Sequence, residues 1–390
     1  MTPQRTQPDF SGQPLFVGLD VHKSSWRVSI HTTDMEFKTF TQPPQASALL
    51  AYLRRSFPGA QVRCAYEAGF SGFSAAHALR DAGLECLVVH PPDIPTNDYD
   101  RRHKTDRNDA RRLSRALRAG HMRSVYIPTQ DAIDARALVR MRDVLIKKQT
   151  RCKTQIKMAL LFLGVELPAT ITDGHWSRRY ITWLETQAQQ DGSRALVVRT
   201  YLDELLFLRA QVHAITLQIR TMARSGVYAS TVDLLTTVPG IGVLTAMTLL
   251  TELVDITRFR SADALASYVG VVPDEASSGQ KTITIGVTRR RNASLRHMII
   301  ESAWTAIRND PALLQVYQNA SRRMAKSKAI VIVARRLLNR LRKVWLTGVP
   351  YEVGIAAGKF PPATVSPVAV SPVAVPPVAV PPVTVPPVTE

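Results

Sequence analysis

Four acidic residues stand in contexts that are otherwise apolar or that open a helix. Asp20 lies in FVGLDVHK, Glu67 in VRCAYEAG, and Asp106 and Asp109 in KTDRNDARR. An ionised carboxylate within an apolar strand costs several kcal/mol unless a positive charge shares the site. A divalent cation held by converging carboxylates, Mg²⁺ or Mn²⁺, would supply that charge. The sequence therefore predicts a metal site formed by these four acids.

Each acid also has a simpler interpretation when it is taken alone. Asp20 could cap a turn, and Glu67 could end a solvated strand. Asp106 or Asp109 could favour the positive N-terminus of a helix. For any single acid the simpler interpretation is preferred, but the four acids in this order and context favour the metal site.

The hydrophobic pattern predicts the elements that must position these acids. Their order is strand 15–21, strand 26–30, strand 37–40, helix 46–57, strand 61–66, helix 74–81 and strand 85–89. This order resembles the ribonuclease-H-like (RuvC-type) nuclease fold. In such a sheet Asp20 lies on the first strand and Glu67 at the end of the fourth. Asp106 and Asp109 are spaced i, i+3 at the start of a further helix, so both side chains share one face and can point at the sheet.

The charge of the chain indicates a polyanionic partner. The 390 residues carry a formal charge of +19 with a pI of about 10.3. Residues 281–343 contain fifteen Lys or Arg and two acids, Glu301 and Asp310, and so hold +13 of that excess. Phosphate backbones are the partner that we expect for such a surface.

Membrane attachment is the alternative explanation of a basic surface, and the sequence argues against it. No apolar stretch is long enough to span a bilayer, and the first residues, MTPQRTQPDFSGQP, lack the apolar core of a signal peptide. Cys64, Cys86 and Cys152 are scattered, without the spacing of a zinc site or a disulfide framework. We therefore expect a protein of the reducing cytoplasm, associated with the nucleoid.

The length indicates two folded domains joined by helices, so the predicted fold class is α/β followed by all-α. Long helical patterns over 131–162 and 194–223 predict an antiparallel coiled arm that supports a dimer or tetramer; ordinary core helices are the alternative. We predict a disordered N-terminus (1–14), a RuvC-like domain (15–128), a helical coiled arm (129–228), a mostly helical C-terminal domain (229–348) and a Pro/Val-rich disordered tail (349–390).

The C-terminal domain contains VPGIG before an apolar helix, a pattern typical of a helix-hairpin-helix turn. There Gly240 and Gly242 would permit close backbone approach, and the amides of the following helix start would hold a phosphate. A tight packing corner explains the two glycines equally well.

The chain resembles transposases of the IS110/IS1111 insertion-sequence family over about residues 15 to 345. The shared motifs are GLDVHK, YEAG, KTDRNDA, VPGIG, RFRSADALASYVGVVP, Ser278-Gly279, and Asn292 with Leu295-Arg296. Members pair an N-terminal RuvC-like domain, which carries the acidic set, with a C-terminal transposase domain. One departure is Arg291, which stands where the family usually has a glycine; a side chain there would be strained if the backbone needs a positive φ.

The resemblance implies a serine nucleophile, carried over here onto Ser278, with Ser277 beside it. The four acids would hold Mg²⁺ on the scissile phosphate while the serine forms a phosphoserine link to DNA. It also implies donor and target DNA as partners, together with a structured guide (bridge) RNA. The candidate nucleic-acid contacts are Gly240, Gly242, Arg289, Arg290, Arg291 and Arg296.

Two other functions stay open on the sequence. One is a hydrolytic RuvC-like nuclease such as a Holliday-junction resolvase, in which Ser278 would be incidental. The other is a nucleic-acid-binding protein with a decayed active site. The long second domain with its Ser-Gly motif weighs against the first, and the presence of all four acids weighs against the second. The leading prediction is a DNA transposase or recombinase.

Overall fold

A computed structural model of the chain describes residues 10–95, 106–171, 175–278, 281–287 and 291–353. The side chains of residues 106–107 and 273–287 are not described. The chain divides into two compact units, Met1–Pro128 and Thr129–Glu390. Within the described ranges, no helix is both long and apolar enough to cross a membrane.

The first unit is built on a five-stranded mixed sheet covered by helices. Its strands are β1 Pro14–Val21, β2 Trp26–His31, β3 Glu36–Gln42, β4 Gln61–Glu67 and β5 Glu85–Val89, and its helices are α1 Ala46–Ser56, α2 Ser74–Asp81 and α3 Asp106–Arg118. The strand order is β3-β2-β1-β4-β5, with β2 antiparallel to β1 and β3, and with β4 parallel to β1 and β5. The predicted strands are present, and the sheet is consistent with a ribonuclease-H-like domain.

Helix α3 packs directly on the backbone of β1 at Gly18. A Cβ at this position would lie 2.1 Å from the carbonyl oxygen of Ala110 and 2.5 Å from the amide nitrogen of Ser114, so there is room only for glycine. The same helix is held to β3 by an ion pair in which Arg111 Nε lies 2.6 Å from Glu36 Oε1. These contacts fix the position of α3 across the sheet.

The second unit consists mostly of helices. They are α4 Gln130–Phe162, α5 Arg178–Ala188, α6 Ser193–Ala223, α7 Ala229–Thr236, α8 Val243–Leu253, α9 Ala262–Val269, α10 Ala293–Asn309, α11 Pro311–Ser321 and α12 Lys326–Thr347, together with a hairpin of β6 Pro273–Ser278 and β7 Lys281–Val287. Helices α4 and α6 run antiparallel, since Arg142 contacts Thr216 and Cys152 contacts Tyr201. With α5 they enclose a hydrophobic cluster of their own. We refer to α4, α5 and α6 as the helical arm.

Packed aromatic residues extend both units beyond the boundaries that the sequence predicts for disorder. Phe10, placed in the disordered N-terminus, is buried against Phe37 and Phe57. Tyr351, placed in the tail, is also buried, and its hydroxyl donates to the Asp310 carboxylate. A buried aromatic ring anchors a short segment whose composition alone predicts disorder. The rest of the predicted tail, from residue 354, lies outside the described ranges, as do residues 1–9.

A buried carboxylate joins three helices of the second unit. Glu252 on α8 accepts two hydrogen bonds from Arg140 on α4, at 2.6 and 2.8 Å, and one from Asn292 Nδ2 at 2.8 Å. Asn292 in turn caps α10, since its Oδ1 accepts a hydrogen bond from the Leu295 amide. Burial would raise the pKa of Glu252, but the hydrogen bonds and positive charge of Arg140, with the bond from Asn292, lower it below its usual range. The network therefore stabilises the fold while Glu252 is ionised.

We expect Gly18→Ala to destabilise the first unit by about 1–3 kcal/mol, because the added methyl group meets backbone atoms of α3 that cannot rotate away. Gly69→Ala is the matched control, since its Cβ would meet nothing among the described atoms closer than 3.9 Å. Thermal unfolding of the two variants measures the difference. Equal melting temperatures for Gly18→Ala and the wild type would contradict the close packing of α3 on β1.

A second prediction concerns pH. Because the folded-state pKa of Glu252 is lowered, its stabilisation is complete above the unfolded-state value near 4.5 and is lost as the pH falls through the folded-state pKa. Glu252→Gln should cost about 1–3 kcal/mol at neutral pH and should weaken the loss of stability in acid. Denaturant unfolding across pH tests this, with the exposed Glu301→Gln on α10 as control. An unchanged acid-side slope in Glu252→Gln would contradict the prediction.

Candidate active site

Asp20 and Glu67 lie at the carboxyl ends of neighbouring strands. In the parallel pairing of β1 with β4, Gly18 is opposite Ala65, and each acid follows two residues later along its strand. Since side chains alternate along a strand, both acids share the face of Gly18 and Ala65. Helix α3 packs on Gly18, so both carboxylates lie on the side of the sheet that this helix covers.

Arg112 connects an acid of α3 to an acid of the sheet. Its Nη2 atom lies 2.7 Å from Glu67 Oε1 and 3.5 Å from Asp109 Oδ1. One guanidinium nitrogen thus contacts carboxylates from two different elements. Only 17% of the Arg112 side chain and 18% of the Asp109 side chain are exposed, so solvent screens these contacts less than it would at the surface.

Asp20 has a different basic neighbour. Its Oδ2 atom lies 3.0 Å from Nε2 of His22, which follows β1 directly. Each acid whose side chain is described is therefore within reach of a nitrogen of a basic side chain: Asp20 of His22, and Glu67 and Asp109 of Arg112. The guanidinium of Arg112 compensates the charge of Glu67 and Asp109 at the edge of the apolar sheet.

The acids fit the predicted metal by donor type. Carboxylate oxygens are the ligands that hard divalent cations prefer, and Arg112 shows that Glu67 and Asp109 can share one positive charge. In the described part of the chain, no three His, Cys, Asp or Glu side chains converge closely enough to hold a metal ion. Asp106 begins α3 one turn before Asp109, but its side chain is not described. Arg112 is thus the group that an ion between Glu67 and Asp109 would replace.

Ser278 is the last residue of β6 and lies opposite Lys281 on β7. The loop between them, residues 279 and 280, lies outside the described ranges, and the side chains of Ser277 and Ser278 are not described. The serines belong to the second unit and the four acids to the first. The assignment of Ser278 as nucleophile stays a prediction.

Arg291 and Arg296 bring two positive charges together at the start of α10. Burial lowers the pKa of Arg296, and the charge of Arg291 lowers it further. A Cβ at Gly270 would lie 2.4 Å from that of Arg291, so the two residues pack closely. In the described ranges, Val254 is the only residue other than glycine with a positive φ, so Arg291 has an ordinary backbone conformation and is not strained. The other two arginines predicted to contact nucleic acid, Arg289 and Arg290, lie outside the described ranges.

The two glycines of VPGIG differ in their surroundings. Gly240 has φ +84°, and a Cβ there would lie 2.3 Å from the carbonyl oxygen of Ser302 on α10. This favours the packing corner as the explanation of Gly240. Gly242 is the N-cap of α8, and none of the described atoms lies within 4 Å of the position of a Cβ. A phosphate contact at this helix start stays a prediction.

The sequence does not single out Arg112. Its spacing from Asp109, three residues along one helix, is a visible signal, but such pairs are common on solvated helix faces. Its stronger contact is with Glu67, 45 residues away in the chain. Only the packing of α3 on the sheet reveals that contact.

Two family models match the chain in succession. Residues 17–164 match a model described as a transposase, of the DEDD type of IS110. Residues 232–318 match a model described as the transposase IS116/IS110/IS902 family. The first match contains the four acids, and the second contains Ser278 and the VPGIG turn.

Curated proteins similar to the chain carry transposase names. Putative transposase y4qE of Sinorhizobium fredii is 29% identical over 294 residues, which cover 74% of this chain and 71% of that protein. Putative transposase y4rJ of the same organism is 29% identical over 380 residues, 87% of this chain and 93% of the relative. The transposase for insertion sequence element IS1111A of Coxiella burnetii is 25% identical over 232 residues, 58% of this chain and 61% of the relative's length.

The two models follow one another along the chain, and the relative y4rJ, aligned over 87% of this chain, extends into both matched regions. The chain belongs to the IS110 family of insertion-sequence transposases.

Proposed function

We propose that the chain cuts and rejoins DNA strands as an insertion-sequence transposase, with a metal-dependent acidic site and a serine nucleophile. The observation that carries this proposal is the location of Asp20, Glu67 and Asp109 where β1 and β4 end beneath the first turn of α3. Glu67 and Asp109 come from separate elements and contact one guanidinium nitrogen of Arg112, and such a pair of carboxylates is suited to share one cation. Asp106, at the start of the same helix, completes the proposed set.

Mg²⁺ or Mn²⁺ bound by these acids would act as a Lewis acid that neutralises charge on the scissile phosphate. The acids of the sheet and of α3 provide ligands from two sides of the site. The guanidinium of Arg112 contacts both Glu67 and Asp109. This guanidinium is also suited to pair with the phosphate oxygens of a bound strand.

The nucleophile in this proposal is Ser278, and its support is family membership. The Oγ atom of Ser278 forms a bond to phosphorus while a DNA oxygen leaves, and the hydroxyl proton is lost to a base or to solvent. One P–O ester bond replaces another, so the energy needed for rejoining is retained. Donor and target DNA, a structured guide RNA and assembly as a dimer or tetramer belong to the same proposal.

We expect Asp20→Asn, Glu67→Gln, Asp106→Asn and Asp109→Asn each to reduce strand cleavage by at least about a hundredfold, because the metal clamp supplies several kcal/mol. DNA binding should remain, since it depends on basic surfaces elsewhere. Cleavage assays with added Mg²⁺, alongside binding assays, measure both effects. The exposed Asp34→Asn is the control. Full cleavage by Asp20→Asn would refute the metal site.

The serine is tested by trapping reactions and resolving them under denaturing conditions. We expect wild-type protein to be joined covalently to a DNA end, and Ser278→Ala to lose both this adduct and the recombinant product. Ser277→Ala is the matched control and should retain the adduct. Cleavage by Ser278→Ala at the wild-type rate, with free DNA ends and no adduct, would instead indicate a water nucleophile and a hydrolytic nuclease.

A further inference from the structure

The helical arm has a concentration of positive charge that lies outside the basic region 281–343. Within α4 and the turn after it, residues 144–165 include five Lys or Arg and no Asp or Glu. Residues 205–232, which contain the second half of α6, include Arg209, His213, Arg220 and Arg224 and again no acid. Alternating signs of charge are typical of a solvated helix face, and these two long stretches on paired helices depart from that pattern.

The two helices form an open groove on one side of the arm. It has a volume of about 580 Å³, and its polar lining residues are Gln149 of α4 and Arg209, His213, Thr216 and Arg220 of α6. Those of α6 follow one another at intervals of four, three and four residues, so they lie on one face of the helix. Arg142 of α4 joins this face, because its Nε donates to Thr216 Oγ1 at 2.9 Å.

The positive charges of this face act on one another. Burial lowers the pKa of Arg142; Asp143 raises it, and Arg220 lowers it. Burial also lowers the pKa of Lys153, and the charge of Arg209 lowers it further. Arg142 and Lys153 of α4 thus each lie near a like charge of α6. Such mutual repulsion is relieved when a polyanion binds.

We propose that this groove, defined by Arg142, Gln149, Arg209, His213, Thr216 and Arg220, binds the phosphodiester backbone of a nucleic acid. The proposal rests on the proposed function as a nucleic-acid enzyme and adds a contact surface on the arm. Arg209 and Arg220 are eleven residues apart on α6, which corresponds to about 16 Å along the helix axis. This distance is longer than one phosphate group, so the two arginines are suited to contact different phosphates of one strand.

A second copy of the chain would occupy this positive groove only if it placed a local acidic face on it. The polar groups of Gln149 and Thr216 add neutral donors that hydrogen-bond phosphate and sugar oxygens without reading sequence. The groove would therefore position a nucleic acid rather than select it.

Fluorescence anisotropy with the full chain, a labelled duplex DNA and a labelled RNA hairpin tests the groove. Arg209→Gln/Arg220→Gln should bind at least one probe about tenfold more weakly, and the slope of log K against log salt should fall by about 2. Arg54→Gln/Arg55→Gln, two exposed arginines of α1, is the matched control and should retain wild-type affinity and slope. Arg209→Lys/Arg220→Lys should retain most of the affinity, because it keeps the charge.

The two probes identify the source of the phosphates. If the variant loses affinity for the RNA probe alone, the groove binds an RNA strand, and if it loses affinity for the DNA probe alone, the groove binds DNA. A loss of affinity for both probes means that the groove binds the backbone that RNA and DNA share. If Arg209→Gln/Arg220→Gln keeps the wild-type affinity and the wild-type salt slope with both probes, the proposal that the groove binds nucleic acid is wrong. The proposed function of the protein would be unaffected by that result. A wild-type protein that binds neither probe would overturn both. Equal melting temperatures of all variants show that the differences do not come from unfolding.

Discussion

The close approach of α3 to β1 at Gly18 is the contact on which the candidate active site depends. A side chain of any size at this position would collide with the backbone of the helix at Ala110 and Ser114. Glycine lets the helix lie directly on the strand, and the first turn of α3 then reaches the carboxyl ends of β1 and β4. Asp109 of the helix and Glu67 of the sheet reach the same guanidinium, that of Arg112, because the backbones are in contact.

Clustered carboxylates repel one another and lose hydration, so the site needs basic partners in order to fold. Arg112 and His22 provide them, with contacts of 2.7 Å to Glu67, 3.5 Å to Asp109 and 3.0 Å to Asp20. The arginine lies between two elements, where a shared cation is proposed to act.

The arginines of the second unit lie in two different structural settings. Arg140 pairs with buried Glu252, and Arg340 is buried against Asp310, so both hold helices together. Arg209 and Arg220 are exposed along the arm groove, where they are suited to contact phosphates. The net charge of the chain therefore overstates the charge available to a nucleic acid. The basic residues between 281 and 343 include Arg340, whose charge is used in an internal ion pair with Asp310.

The sequence by itself determined the succession of strands and helices in the first unit, the long paired helices, and the places of Asp20 on the first strand and Glu67 at the end of the fourth, because hydrophobic period is a local signal. That these two strands are neighbours was decided by the sheet. The sequence also carried the family motifs. It did not reveal Arg112, the burial of Tyr351 or the arm groove, nor did it decide between the two interpretations of Gly240. Each of these depends on residues far apart in the chain, such as Arg112 and Glu67 at a separation of 45. Contacts of that kind are decided by packing between elements, and no local pattern encodes them.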